Sequence, residues 1–266
     1  MPQQSAAPAQ PRTIFITGAS SGIGEALAVF YSSQGARLGL SGRKAQALQA
    51  LNERLGGRHA CYPLDVTDAA AVQAAANDFM ARCGVPDIVI ASAGVSVGTL
   101  SEYPEDLPAF RQVMDTNVYG MAATFSAFIP AMREAGGPRR LCGMASVAGI
   151  RGLPGAEAYS ASKAAVIAYL ESLRLELKPH GIAVVTIAPG YIATPMTTHN
   201  PYRMPFLLPA DEAARRFART IDNGSSYRVI PWPMAIVAKC LRLLPNALYD
   251  RLFLRAPRKP RQPLSG

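Results

Sequence analysis

Six short apolar runs recur along the chain: "RTIFITG", "ARLGLSG", "HACYPLDV", "DIVIASAG", "RRLCGMAS" and "GIAVVTIAPG". Their length and β-branched content read as strands. "SYRVIP" is a weaker seventh. The segments between them, such as Ile23 to Gln34 and Ala69 to Arg82, have helical spacing and length. Strand alternating with helix constrains the fold more than any other feature. Parallel strands need crossovers, and the crossovers lay helices on both faces of the sheet. The expectation is a doubly wound α/β domain with a mostly parallel seven-stranded sheet. Ligands of such sheets sit at the carboxyl ends of the strands.

At 266 residues the chain suits one large domain. Hydrophobic residues make up 49% and charged residues 17%, which supplies a core and excludes global disorder. No apolar run approaches the roughly 18 residues of a membrane span. "MPQQSAAPAQPR" has no apolar h-region, so residues 1–11 read as a disordered tail, not a signal peptide. Cys61, Cys83, Cys142 and Cys240 are widely spaced, as expected of free thiols in a reducing cytoplasm. The net charge of +9 is uneven. From Gly224 to Gly266 eight basic residues face one acid, Asp250, so that segment carries +7 and the rest of the chain +2. A nearly neutral body excludes nucleic acid as the partner of the whole domain.

"TIFITGASSGIGEALAVF" joins the first strand to the first helix. Gly18, Gly22 and Gly24 are spaced G-x-x-x-G-x-G. Gly18 allows the tight turn, Gly22 lets backbone approach a pyrophosphate, and Gly24 permits close packing of the helix. Free N–H groups at the helix start would meet the phosphates. This makes the domain Rossmann-type. An acid about 20 residues further on usually grips the ribose 2′-hydroxyl. Ser41 and Arg43 stand there instead, which suits a 2′-phosphate and hence NADP over NAD. Asp65, at the end of the third run, either accepts from the adenine amino group or caps the following helix near Asp68.

"GAEAYSASKAAVIAYLESLRLELK" places Tyr159 and Lys163 four residues apart, on one helix face. An ammonium beside a phenol lowers its pKa from about 10 and fits it for proton transfer. Ser146, 13 residues earlier at a strand end, would bond the same substrate oxygen. Asn117 in "DTNVYG" either holds a proton relay or merely bends its helix. Ala164, Ile167, Leu170, Leu173, Leu175 and Leu177 are expected to pack on the sheet or a neighbouring subunit.

Together these segments resemble the short-chain dehydrogenase/reductase family. "TGASSGIG" (17–24) is similar to its cofactor turn, "ASAG" (91–94) stands where the family has N-N-A-G, and Asn117, Ser146 and "YSASK" (159–163) match its catalytic tetrad. "PGYIAT" (189–194) matches its P-G motif. The resemblance spans about residues 12 to 195. It implies that Tyr159 is the acid/base, Lys163 tunes it and bonds the nicotinamide ribose, Ser146 polarises a carbonyl, and Asn117 supports a water relay. It implies cofactor contacts from Ser20, Ser21, Ile23, Val66, Ala91, Ala93, Gly94, Pro189, Gly190, Ile192 and Thr194, beside the residues already named. Ala91 and Ser92 replace both asparagines of N-N-A-G, which puts side-chain support of the central strand in doubt.

Residues 12–231 would form the domain, with a substrate lid over about 195–215. The Met, Phe and Leu of that lid point to an apolar substrate. His199 reads as a polar lid residue, with no metal implied. Residues 232–266 read as two short basic amphipathic helices and a charged tail, which either lie on a membrane surface, pack on the domain or join subunits. The expected activity is NADP(H)-dependent interconversion of a ketone or aldehyde with an alcohol by a cytoplasmic homodimer or homotetramer. The competing reading is a catalytically idle NADP-binding sensor or scaffold.

Overall fold

A computed structural model describes residues 11–198, 200, 203–256 and 258–261. The expected N-terminal tail, apart from Pro11, and His199 lie outside the described residues.

Strand and helix alternate as the apolar runs demand. β1 (Thr13–Thr17) leads into α1 (Gly22–Ser33), β2 (Arg37–Gly42), α2 (Ala45–Arg54), β3 (Ala60–Pro63), α3 (Ala69–Cys83) and β4 (Ile88–Ala91). Next come α4 (Leu107–Met114), a π-helical turn (Asp115–Tyr119), α5 (Gly120–Ser126), α6 (Ile129–Ala135) and β5 (Arg139–Met144). The long α7 (Glu157–Leu177) precedes β6 (Ile182–Pro189). A short pair, β7 (Ile192–Ala193) and β8 (Leu208–Pro209), frames the lid before α8 (Ala210–Asp222), β9 (Tyr227–Ile230), α9 (Trp232–Leu243) and α10 (Asn246–Phe253).

The sheet has seven strands in the order β3-β2-β1-β4-β5-β6-β9. Every pairing is parallel, so the expected "mostly parallel" sheet is wholly so. β1 and β4 are buried at every position, as a strand covered on both faces must be. The weak run "SYRVIP" is weak because β9 is an edge strand with Tyr227 and Arg228 exposed.

Each sheet face has its own core. On one side α1, α2 and α8 pack Leu27, Tyr31, Leu48 and Phe217 against Ile14, Ile90 and Ile187. On the other α3, α5, α6 and α7 pack Phe79, Phe125, Met132 and Leu170 against Phe15, Val89 and Leu141. Full burial of such side chains stabilises by about 1.5–3 kcal/mol each. In α7, Leu170, Leu173 and Leu177 join this core and Ile167 packs on its edge, whereas Ala164 and Leu175 are exposed. Part of the segment expected as a substrate lid, about 195–215, is helical. Residues from Ala210 onward are helix, because Ala213, Ala214 and Phe217 are buried in the core beneath α8.

Sequence order reverses between β1 and β4, the neighbours at the sheet's centre. The loops leaving these two strands diverge to opposite faces and open a crevice at their carboxyl ends.

Candidate active site

One cleft of about 310 Å³ occupies that crevice. The glycine turn forms its floor. Gly18 has φ +68°, and a Cβ there would lie 2.8 Å from the Ala93 backbone. The loops after β1 and β4 can therefore meet only with glycine at 18. Gly22 has φ +60° and faces Thr194 across the cleft, its missing Cβ 3.4 Å from the threonine side chain. A side chain at Gly24 would run into the Gly18 carbonyl, so this glycine seats the helix start on the turn itself. The three positions form a cradle that any Cβ would narrow or displace. Ser20, Ser21 and the start of α1 line it.

At the far end of the cleft the β2 and β3 loops bring Arg43, Lys44 and Asp65 together. Asp65 Oδ1 accepts from the Thr67 backbone at 2.9 Å and its hydroxyl at 2.8 Å. Its Oδ2 lies 4.0 Å from Arg43 Nη1, both side chains being substantially exposed. Asp68 caps α3, accepting from the Ala71 N–H at 2.9 Å. The two acids of "PLDVTD" thus divide the work: Asp68 caps the helix, while Asp65 turns the loop toward the cleft.

The opposite end carries the tyrosine. Ser146, Tyr159 and Lys163 all line the cleft. Ser146 follows β5 and accepts the Ala148 N–H at 3.1 Å, so its hydroxyl proton stays available to donate. Lys163 is buried beneath the first turn of α7. Its Nζ donates to the Met144 carbonyl at 2.8 Å and sits 5.6 Å from the centre of the Tyr159 ring. Burial pushes the ammonium down to about 8. Burial also holds the Tyr159 phenol above its ordinary value, and the Ser146 hydrogen bond pulls the other way. The net direction is opposite to the lowered phenol pKa expected from the Tyr–Lys spacing. The cause is desolvation, which a sequence spacing does not register. A phenol so placed is protonated at neutral pH and suited to give its proton to a carbonyl oxygen.

Asn117 does not line the cleft. It is fully buried in the π-helical turn, accepting the Val95 N–H at 2.8 Å and donating to the Val95 carbonyl at 3.0 Å and Ser162 Oγ at 2.9 Å. Ser162 in turn donates to the Tyr159 carbonyl at 2.8 Å. Asn117 therefore ties the loop after β4 to the first turn of α7. Thr17 Oγ1 adds a second tie, accepting the Ser92 and Ala93 N–H groups at 3.2 and 3.3 Å. These bonds hold the strand end where Ala91 and Ser92 lack asparagine side chains.

Seventeen of the nineteen residues expected at the cofactor line this cleft. The exceptions are Ser41 and Ala91. Both side chains are buried, Ser41 fully and with an unpartnered hydroxyl and Ala91 within the core on one sheet face. Gly42 and Arg43 are the first residues of that strand end to reach the cleft. Lys44 and Thr116, not expected at the cofactor, also line it, as do Met196 and Thr197 from the segment expected as the lid. The "RK" doublet was a usable signal for Lys44. Thr197 had none. Its Oγ1 donates to the Ile192 and Thr194 carbonyls at 2.6 and 3.0 Å and accepts the Thr194 N–H at 3.1 Å, fixing the start of the lid.

The carboxy-terminal segment folds back onto the loops after β4 and β5. Arg151 donates to the Leu244 carbonyl at 3.1 Å and Asn246 Oδ1 at 3.0 Å, and lies 4.2 Å over the Tyr249 ring. Tyr249 donates to the Gly152 carbonyl. Lys259 Nζ donates to both oxygens of Ser96 at 2.8 Å. Arg261 engages Asp106 and Glu105 and stacks 3.5 Å over Tyr103. The segment so joins the loops after β4 and β5, the two that carry Val95 and Ser146. Lys259 and Arg261, part of the expected charged tail, are used inward.

The cradle and the lining on either side of it fit a dinucleotide. Comparison with known proteins agrees at the level of family. The family model described as short chain dehydrogenase matches residues 12–203. An uncharacterized oxidoreductase of Myxococcus xanthus is 38% identical over 244 residues, covering 90% of this chain and 95% of that one. Dehydrogenase/reductase SDR family member 7B of Bos taurus is 31% identical, covering 94% and 82%. Among solved structures, a short chain dehydrogenase from Burkholderia cenocepacia J2315 in complex with NADP superposes with TM-score 0.79 at 27% identity, over 93% of this chain and 98% of that one. A 3-ketoacyl-(acyl-carrier-protein) reductase from Brucella melitensis complexed with NADH superposes with TM-score 0.76 at 25% identity, over 82% and 96%. With its parallel seven-stranded sheet, its switch-point cleft and these relatives, the chain belongs to the short-chain dehydrogenase/reductase family of oxidoreductases.

Proposed function

We propose that this protein is an NADP(H)-dependent oxidoreductase that interconverts a hydrophobic ketone or aldehyde with its alcohol. The observation that carries the reading is the shared cleft. Ser146, Tyr159 and Lys163 line one end and Arg43 with Lys44 the other, with the glycine cradle between them. NADP(H) bound there supplies or accepts the hydride. The glycine turn would hold its pyrophosphate, Arg43 and Lys44 its 2′-phosphate, and Thr194 the nicotinamide end.

The chain's own residues handle the proton. In the reductive direction Ser146 donates a hydrogen bond to the carbonyl oxygen and Tyr159 gives that oxygen its proton. The alcohol forms as the tyrosine is left as phenolate. Lys163, fixed by the Met144 carbonyl, stabilises that charge. The raised phenol pKa keeps Tyr159 protonated, the state from which it gives its proton. Two further features support an apolar substrate: the segment after Thr194 carries Met196, Phe206 and Leu207, and Val95 and Met144 line the tyrosine end of the cleft.

A panel of ketones graded in chain length, followed by NADPH absorbance, tests the reading. Turnover should rise with apolar length. Tyr159→Phe should lose on the order of 10²–10⁴ in rate, with NADPH affinity nearly unchanged by titration. An active Tyr159→Phe enzyme would remove the proton role, and wild-type protein that binds NADPH but turns over no member of the panel would favour the idle sensor.

A further inference from the structure

We propose that the outward face of α9 and α10 docks the protein on an anionic lipid bilayer. The proposal goes beyond the redox reading and does not depend on it.

Each helix uses one side to hold the domain. α9 buries Met234 and Ala238 and half-buries Leu241. α10 buries Tyr249, which stacks on Phe253 with ring centres 4.4 Å apart. The other side remains apolar but faces outward. Trp232 is 69% exposed, Leu243 75%, Leu252 67% and Leu254 76%, with Ile236 and Leu248 also more than half exposed. Single exposed aliphatics are ordinary, but this density within two adjoining helices marks a surface made for a partner.

Charge selects which partner. Lys239, Arg242, Arg251 and Arg255 are exposed among these side chains. Asp250 is the one acid from Gly224 to Gly266. An anionic bilayer answers both properties. Its acyl boundary takes the leucines and isoleucine, and its headgroups take the cations at roughly 1 kcal/mol each. A second copy fits worse, since a two-fold contact would lay these four cations against the same four. Among the described residues no helix is long and apolar enough to cross a membrane, so the helices would lie in its plane. Trp232 at the start of α9 suits the headgroup boundary. The face is also preformed. Arg151 and Gly152 hold the α9–α10 junction and Tyr249, so docking costs little ordering entropy.

Trp232 is the one tryptophan of the chain, so tryptophan emission, excited selectively over tyrosine, reports this surface. Full-length protein is mixed with phosphatidylcholine vesicles, with or without phosphatidylglycerol. The expected result is a blue shift and co-sedimentation with the phosphatidylglycerol vesicles, weaker with phosphatidylcholine alone and reduced by salt. Ile236→Glu and Leu252→Glu should each weaken vesicle binding about tenfold or more, with NADPH affinity and melting temperature unchanged. No emission change and no co-sedimentation of the wild type overturns the proposal. So does unaltered binding by the double variant. A wild type that ignores vesicles but loses its oligomeric state on Leu252→Glu, by light scattering, makes the face a subunit contact. Turnover of the ketone panel is measured separately, so failure of the redox reading and failure of lipid docking are distinguishable.

Discussion

Lys163 is the side chain that the fold holds against its own preference. It is buried with its Nζ on the Met144 carbonyl, and burial alone pushes its pKa down to about 8 from 10.5. Between those two pH values the folded protein has released this proton and the unfolded chain has kept it. The unfolded state then binds more protons, so unfolding free energy rises with pH across that window. Lys163→Met removes the titrating group while keeping much of the packing. Below pH 8 the wild type carries the cost of a buried ammonium and the variant does not. Denaturant unfolding of both proteins without cofactor should show the wild type gaining on the variant from about pH 8 to 10.5. A difference that stays flat across that range would mean that Lys163 is solvated. Tyr159 and Lys163 were legible in the sequence because a helix fixes what four residues of spacing means. The direction of the phenol shift was not, because burial depends on β5 and the loop after β4, far away in the chain. The same limit explains Ser41. Spacing from the glycine turn reaches the end of β2, but only the place of β2 between β1 and β3, inside the fold, tells that the Ser41 hydroxyl is buried.

Among the elements, the carboxy-terminal segment departs furthest from its sequence reading. Its helices were visible in the roughly helical spacing of Trp232, Ile236, Val237, Leu241, Leu244, Leu248, Leu252 and Phe253, and in the break at Pro245. Its return across the domain was not, because the partners are remote: Arg261 meets Asp106 across 155 positions and Lys259 meets Ser96 across 163. Nothing local separates such an arginine from a solvated one. Glycines record the return instead. A Cβ at Gly98 would strike the Lys259 and Pro260 carbonyls, and one at Gly155, where φ is +69°, would lie 2.8 Å from Arg258 Cβ. Arg261 holds the segment in place. Its hydrogen bonds, with one from the Leu100 N–H, keep the Asp106 carboxyl below the usual carboxylate range. A depressed carboxylate stabilises the fold above its unfolded pKa, and that contribution is lost as pH falls through the folded value. Arg261→Ala should therefore lower the melting temperature at neutral pH. The deficit should shrink once the medium is acid enough to protonate Asp106 in both proteins. Calorimetry at neutral and acid pH checks this, and an equal deficit at both would mean that the pair is not what ties the segment down.

At the scale of the whole molecule, the strand order makes the site. Strand order reverses between β1 and β4, which opens the crevice at the carboxyl ends of the strands, and the loops leaving those ends line the cleft. A ligand filling that crevice touches loops from β1 to β6 at once, so binding should be felt as global stability. Cofactor at 100 times its Kd adds roughly 2.7 kcal/mol, which for a domain of this size raises the melting temperature by roughly 5–10 °C. The same linkage reads cofactor preference without any substrate. Arg43 and Lys44 end the crevice and no acid occupies the 2′ position at the close of β2. If they hold a phosphate, NADPH stabilises more than NADH at equal concentration. Losing one charge-assisted contact costs roughly 1.5–3 kcal/mol, or roughly 10- to 100-fold in Kd. Arg43→Ala should thus cut the NADPH-induced shift while leaving the NADH shift and the unliganded melting temperature nearly in place, since Arg43 is more than half exposed and its contact with Asp65 spans 4.0 Å. Equal shifts from the two cofactors in the wild type would instead leave Arg43 a surface residue and the protein indifferent between NAD and NADP.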